Sequence, residues 1–439
     1  MFKKNICLFL IFIIAFSSFK VYATSDTPSS WAEEEVNKSI KYNLITEKTN
    51  SQFQSNITRE VFCELIVKLY ESLTKDFEDI SDNPFNDTTN IKVLKAYNLG
   101  ITNGISSTEF GPNRYITREE AATLLSRAIY QAKQKSYLYN ENKGESIGFW
   151  DLSDISNWAI LGVNEMAKEG YIEGTDSGHF YPNYYITIEQ SLAIVVRVYE
   201  SLSLEYKIAK TGVIHGGGLI EGYDKSNSFE AVQKSISEGG RILEIDFNFT
   251  RDGELACIHK WMNYYAPDYI EDYEPLSLYK FKKAKIFNKF TPLDLDDLMN
   301  IMEENEGTYL VTDIKDDNIE ALKLISSKYP QMIDRIIPQA YSKAEVPIIK
   351  ELGYKNIILT FYNMPYNEVM QTSALVDFAK ENNLFAFTFS YELANERFIN
   401  ELKKSNILLL THTISTIEEQ EIYRSLGVNG FYTDIVVMN

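Results

Sequence analysis

From Lys207 to Asn439 short β-rich runs alternate with amphipathic helical stretches, eight times over. The runs are GVIHGG, ILEIDFNFT, TYLVTDIK, RIIPQAY, NIILTFY, LFAFTFS, ILLLTHTI and GFYTDI, with segments such as SFEAVQKSISEGG and SALVDFAKENN between them. Eight such units in about 230 residues predict an α/β fold, a TIM (β/α)8 barrel over residues 206–439. A doubly wound open sheet is the alternative. It would open its first helix on a Gly-rich phosphate loop, and HGGGLIEGYDKSNS is not G-x-G-x-x-G.

In a barrel of this kind chemistry sits at the C-terminal ends of the strands. His215 ends the first run, Glu244 and Asp246 lie on the second, and Asp313 and Lys315 end the third. Gln339 ends the fourth, as a substrate contact or a polar rim residue, and His412 ends the seventh, in a structural or substrate-contact role.

The second run, EIDFNFTRDGELACIH, is unusual for a buried strand. Side chains alternate, so Glu244, Asp246 and Asn248 share one face and Leu243, Ile245, Phe247 and Phe249 the other. The acidic face is expected inside the barrel mouth, with the two carboxylates about 6.6 Å apart at Cα. Asp252-Gly253 suits a two-residue type I′ hairpin. That register places Asp246 opposite His259 and Asn248 opposite Cys257. Acids left unpaired within an apolar strand are costly. Three carboxylates, Glu244, Asp246 and Asp313, without clustered Cys or His, point to a hard divalent ion, Mg²⁺ or Ca²⁺, rather than zinc. His215 and His259, two of only four histidines, are candidates for general acid and base, with Lys315 stabilising developing charge. Together these groups fit phosphodiester cleavage.

The first half repeats itself, as PFNDTTNIKVLKAYNLGITNGISSTEFGPNRYITREEAATLLSRAI and FWDLSDISNWAILGVNEMAKEGYIEGTDSGHFYPNYYITIEQSLAIVVRVY, with a worn copy before them. Thr117 with Glu120, and Thr187 with Gln190, read as capping boxes opening helices, and Gly100 and Gly104 suit the preceding turn. One unit cannot bury its apolar face alone, so three should pack together. The F-x-D start, G-x-x-x-G turn and T-R-E-E box resemble S-layer homology modules, placed at 24–78, 79–140 and 141–205. The resemblance implies a mostly helical three-module domain that holds a surface protein on secondary cell-wall polysaccharide. Family binding uses an arginine that maps to Arg59 and Arg118, where the third copy has Ile188.

Residues 1–23 read as a secretory signal peptide: Lys3 and Lys4, an apolar run from Ile6 to Phe16, and V-Y-A at the end. The run is short for an uncleaved anchor, and no later segment is apolar enough to span a bilayer. Removing the leader moves the net charge from −19 to about −22. Bulk attraction to nucleic acid or anionic lipid is therefore excluded. Cys63 and Cys257 are too few and too far apart for a disulfide framework and read as buried thiols.

The second half resembles the glycerophosphodiester phosphodiesterase family, related to phosphatidylinositol-specific phospholipase C. Its H-R-G, N-T-x-x-A, E-x-D-V-x-x-T-x-D-G, H-D, P-x-L-x-E, E-x-K and G-x-x-x-x-T-D signatures read here as His215-Gly216-Gly217, NSFEA (227–231), EIDFNFTRDGELACIH, PLDLDD, DIK and GVNGFYTD. The resemblance implies that His215 and His259 are the acid/base pair, Glu244, Asp246 and Asp313 the metal ligands, Lys315 the phosphate-facing lysine and Asn227 a substrate contact. Gly216 stands where the family has Arg, Ser226 and Asp313 where it has Glu, and Lys260 where it has Asp. What is implied is a secreted, wall-anchored phosphoric diester hydrolase acting on glycerophosphodiesters or glycerol-phosphate polymer units, with a link to lipid metabolism. A lyase ending at a cyclic phosphate and a surface binding protein without catalysis are the alternatives.

Overall fold

The computed structural model describes residues 27–78, 82–135, 138, 148–175, 177–261 and 275–436. The leader expected at 1–23 lies outside the described residues. Each of the eight β-rich runs supplies one barrel strand. The strands are β1 (Val213–Ile214), β2 (Ile242–Phe249), β3 (Leu255–Cys257), β4 (Tyr309–Ile314), β5 (Ile336–Ala340), β6 (Ile358–Thr360), β7 (Ala386–Ser390), β8 (Leu408–His412) and β9 (Gly430–Thr433). Setting β3 aside, each strand lies parallel to the next in sequence, and β1 pairs with both β2 and β9, which closes the ring. Helices such as Phe229–Ser237, Leu295–Glu304 and Thr372–Glu381 fill the crossovers.

β3 is the return arm of the hairpin read from EIDFNFTRDGELACIH, and its register differs from the expected one. Phe247 pairs with Cys257 and Asn248 with Ala256, one residue away from the predicted partners. The cause is local. Thr250 N–H donates to the Glu254 carbonyl at 2.8 Å, and Thr250 Oγ1 accepts from Glu254 N–H at 2.9 Å. These bonds hold a five-residue loop between Phe249 and Leu255. A type I′ turn needs positive φ at both central residues, and of Asp252 and Gly253 only Gly253 has it, at +82°.

The interior is layered by the two-residue period of the strands. Val213, Ile242, Val311, Ile337, Ile358, Ala386 and Leu410 form an apolar lower layer. Two residues further along the same strands, and hence on the same face, come His215, Glu244, Asp313, Gln339, Thr360, Thr388 and His412. Outward-facing Leu243, Ile245 and Phe247 pack instead with the crossover helices, against residues such as Val232, Leu298 and Met302.

The N-terminal part is helical and closes on itself. Three short antiparallel bridges, Asn56–Thr187, Thr58–Tyr115 and Thr117–Tyr185, link the three Ile-Thr loops in a ring, with Ile57, Ile116 and Ile186 buried between them. Each following helix opens on a threonine cap. Thr117 N–H donates to Glu120 Oε2 at 3.1 Å and Thr187 N–H to Gln190 Oε1 at 3.0 Å, the two expected capping boxes. A glutamate two residues after each threonine ties each unit to its neighbour: Glu60 accepts from Thr88, Glu119 from Ser156, and Glu189 from Ser29. The last contact joins the third unit back to the first.

The helix Ile188–Thr211 carries on past residue 206 without a linker. Its end, with Leu202, Leu204, Tyr206, Ile208 and Ala209, shares one continuous core with the lower layer of the barrel. Gly430 makes room for it, since a Cβ there would lie 2.7 Å from Ile208 Cγ2. Arg424 donates to the Ala209 carbonyl at 2.6 Å, and Lys41 pairs with Glu306 at 3.4 Å across the same joint. Cys63 and Cys257 are both buried and unbridged.

Candidate active site

The C-terminal ends of the barrel strands bring together the polar residues read from the sequence. β2 and β4 pair Glu244 with Val311 and Asp246 with Asp313, so the three acids share one wall. One oxygen from each of Glu244, Asp246 and Asp313 lies within 4.8 Å of the others.

Asp246 is the hub. Its Oδ1 lies 3.0 Å from His259 Nδ1 and 2.8 Å from Lys315 Nζ, and its Oδ2 accepts from Asn227 Nδ2 at 2.9 Å. Burial alone would raise its pKa, but the hydrogen bond to His259 and the charge of Lys315 hold it well below the usual carboxylate range. His259 therefore reaches Asp246 despite the shifted hairpin register. The β3 ladder ends at Cys257, Ile258 N–H donates to the Asp246 carbonyl at 2.9 Å, and the next residue turns back over the carboxylate.

Glu244 is fully buried. Its Oε2 accepts from the Gly216 amide at 2.6 Å, whereas Oε1 is buried with no hydrogen-bond partner. Burial and neighbouring Asp246 push its pKa up to about 8. A buried acceptor with nothing to accept costs about 1–3 kcal/mol. Lys315 also contacts Asp313 Oδ2 at 2.6 Å. With all three carboxylates ionised, the single ammonium of Lys315 would leave two negative charges, which is why burial beside Asp246 disfavours the ionised form of Glu244. The donor set and the orphaned oxygen fit a hard divalent cation with oxygen ligands.

Both imidazoles are aimed by carboxylates through Nδ1. His215 Nδ1 lies 3.0 Å from Asp434 Oδ1, and Asp434 is fixed in turn by the Ser415 hydroxyl at 3.2 Å. Burial would lower the His215 pKa, but Asp434 and Glu244 raise it above the ordinary value. His412 lies in the same wall, and burial followed by the nearby His215 pushes it down to about 4. Its surroundings suit a neutral contact residue.

The remaining expected residues divide. Both ends of the Asn227 amide are engaged by Asp246, since Oδ1 also accepts the Asp246 amide at 3.0 Å. Asn227, expected as a substrate contact, is fully buried and orients a carboxylate. Gln339 faces inward one layer above Ile337 and is 5% exposed. Arg59 is buried, with its Nε donating to the Phe110 carbonyl at 3.1 Å and its guanidinium 3.5 Å from Glu120. Arg118 donates to the Phe180 and Glu173 carbonyls at 2.7 and 2.8 Å. Each arginine thus stitches its own unit to the next.

Three residues join the site without having been singled out. Asp434 was signalled by T-D, two residues beyond inward-facing Tyr432. Tyr341, two beyond Gln339, donates to Asp313 Oδ1 at 2.5 Å. The third is Lys225, whose charge acts on His215, His412 and Asp434. A Cβ on Gly216 would lie 2.5 Å from Lys225 Cα, so the loop around Lys225 requires the glycine.

The S-layer homology domain family matches residues 84–122 and 148–188. Similar proteins include an endoglucanase of Bacillus sp. (strain KSM-635), 31% identical over 133 residues, or 28% of this chain and 14% of that protein. A cell surface protein of Thermoanaerobacter kivui is 29% identical over 153 residues, 33% of this chain and 19% of that protein. The chain therefore spans less than a fifth of these relatives. Among solved structures, a glycerophosphodiester phosphodiesterase from Parabacteroides distasonis is similar with TM-score 0.40 and 17% identity, covering 51% of this chain and 92% of that one. An Oleispira antarctica phosphodiesterase, solved with the product sn-glycerol-3-phosphate, has TM-score 0.41 and 13% identity, covering 51% and 92%. The chain carries S-layer homology modules ahead of a closed parallel barrel, and among the described residues no helix is long and apolar enough to cross a membrane.

Proposed function

We propose that the protein is a wall-anchored, metal-dependent phosphodiesterase acting on glycerophosphodiesters or glycerol-phosphate polymer units. One observation carries the reading: a triangle of acids, two of them buried and one with an unpartnered oxygen, lies beside two imidazoles, each aimed by its own carboxylate. Glu244, Asp246 and Asp313 would hold Mg²⁺ or Ca²⁺, which when bound neutralises phosphate charge and acidifies an attacking hydroxyl.

The chain's own groups do the rest. Asp434 and Asp246 engage Nδ1 of His215 and His259, so each ring moves protons through Nε2. One imidazole accepts the proton of the attacking hydroxyl and the other protonates the leaving oxygen. Lys315, held by Asp246 and Asp313, meets negative charge as it builds. Lys225 offers a second cation beside Gly216, and Gln339 a neutral contact. Tyr341 and Asn227 position Asp313 and Asp246. The N-terminal modules would hold the enzyme on secondary cell-wall polysaccharide, with Arg59 and Arg118 shaping the inter-module surfaces that meet it. Export through the leader at 1–23 completes the proposal.

The test is turnover of a diester panel by the exported chain with and without a chelator. Release of glycerol phosphate that stops on chelation and returns with Mg²⁺ or Ca²⁺ is expected. Turnover indifferent both to chelator and to His259→Ala would end the reading. Phosphorus NMR of the product separates hydrolysis from cyclisation.

A further inference from the structure

At the far end of the barrel, where the modules dock, lies a cavity of about 380 Å³ lined by Ser72, Leu73, Lys75, Tyr199, Ser203, Tyr206, Lys207, Lys210, Thr211 and Arg241. Its walls come from the end of the helix Arg59–Thr74, the last turns of the helix Ile188–Thr211, and the residue that precedes β2. Three lysines and an arginine share this small space in a chain whose net charge is −19.

None of the four makes an ion pair with a carboxylate among the described residues. Lys210 donates to the Thr74 carbonyl, Arg241 to the Ile236 and Gly240 carbonyls at 3.0 and 2.8 Å, and Lys207 lies 4.9 Å over the Tyr309 ring. Asp76, the acid felt by Lys210, is already paired with Lys135 at 3.2 Å. Arg335 adds to the positive field from outside the cavity wall. Burial, then Lys75, Arg241 and Arg335, push the Lys207 pKa down to about 8. Like charges crowded in a partly dry space repel, and a bound anion relieves them. Tyr199 and Tyr206 complete the lining.

We propose that this seam is a binding site for a phosphate-type dianion, gripped by Lys75, Lys207, Lys210 and Arg241 and backed by Tyr199 and Tyr206. A single carboxylate would answer only part of the charge. A phosphate group carries up to two negative charges and several acceptor oxygens, which suits several separate donors. Because the site bridges the modules and the barrel, a ligand there fastens the joint. The proposal is independent of the phosphodiesterase reading, since it uses none of the mouth residues.

The experiment is amine-acetylation footprinting of the full exported chain, read lysine by lysine by mass spectrometry. It is run with inorganic phosphate, with glycerol phosphate, and with potassium chloride at matched ionic strength. Phosphate or its ester is expected to slow modification of Lys207 and Lys210 at least fivefold. Lys355, whose side chain is 74% exposed, serves as the internal control and should keep its rate. Protection at lower concentration by glycerol phosphate identifies an ester as ligand, and equal protection identifies free phosphate. A Lys207→Gln, Lys210→Gln variant should bind phosphate at least tenfold more weakly by calorimetry. Should it fail to fold, the wild-type footprint decides alone. No protection by either phosphate, or equal protection by chloride, would overturn the proposal.

Discussion

The two ends of the barrel are built from the same strands and differ by two residues along each. At the lower end Val213, Ile242, Val311 and Leu410 meet the helix Ile188–Thr211 in a dry core. At the upper end His215, Glu244, Asp313 and His412 face one another around buried carboxylates. Strand geometry sends both layers inward and cannot tell them apart. The difference lies in what each layer meets. A helix with an apolar face satisfies the first, whereas the second crowds acids that a cation or a proton must balance.

Asp246→Ala should break the upper end most. It removes a proposed ligand and the partner of His259, Lys315 and Asn227 together. We expect kcat/KM for a glycerophosphodiester to fall by about 10³-fold or more, with the thermal midpoint kept within a few degrees. His259→Ala removes one proton carrier and should cost about 10²-fold or more in kcat. Tyr341→Phe deletes only the hydrogen bond to Asp313, and a loss of about tenfold is expected, together with weaker activation by the divalent ion in a titration. Ile208→Ala acts at the other end. It should lower unfolding free energy by about 2–5 kcal/mol in denaturant melts, with kcat unchanged. A fall in kcat there would mean that the two layers are coupled and the contrast is wrong.

Much of this contrast was legible before any coordinates. Alternation within EIDFNFTRDGELACIH put Glu244 and Asp246 on one face, and the ends of the β-rich runs located His215, Asp313, Lys315 and Gln339. Local signals failed where a side chain intervened. Asp252-Gly253 reads as a two-residue turn, yet the Thr250 hydroxyl draws the loop out and shifts the register by one. Asn227 reads as a substrate contact, but its amide matches both faces of Asp246. Alternation places Asp434 and Tyr341 two residues beyond inward-facing Tyr432 and Gln339, but which groups they meet depends on where distant strands bring them. The joint was hidden for another reason. A uniformly helical pattern through residue 206 gives no mark of where a module ends and a barrel begins.

That unbroken helix sets a bearing. A flexible tether would let the barrel mouth sweep in every direction, whereas a rod seated in the base of the barrel holds the mouth on the side away from that joint. If the modules grip the wall, the mouth looks outward, toward diesters and polymer ends that reach it from the surroundings.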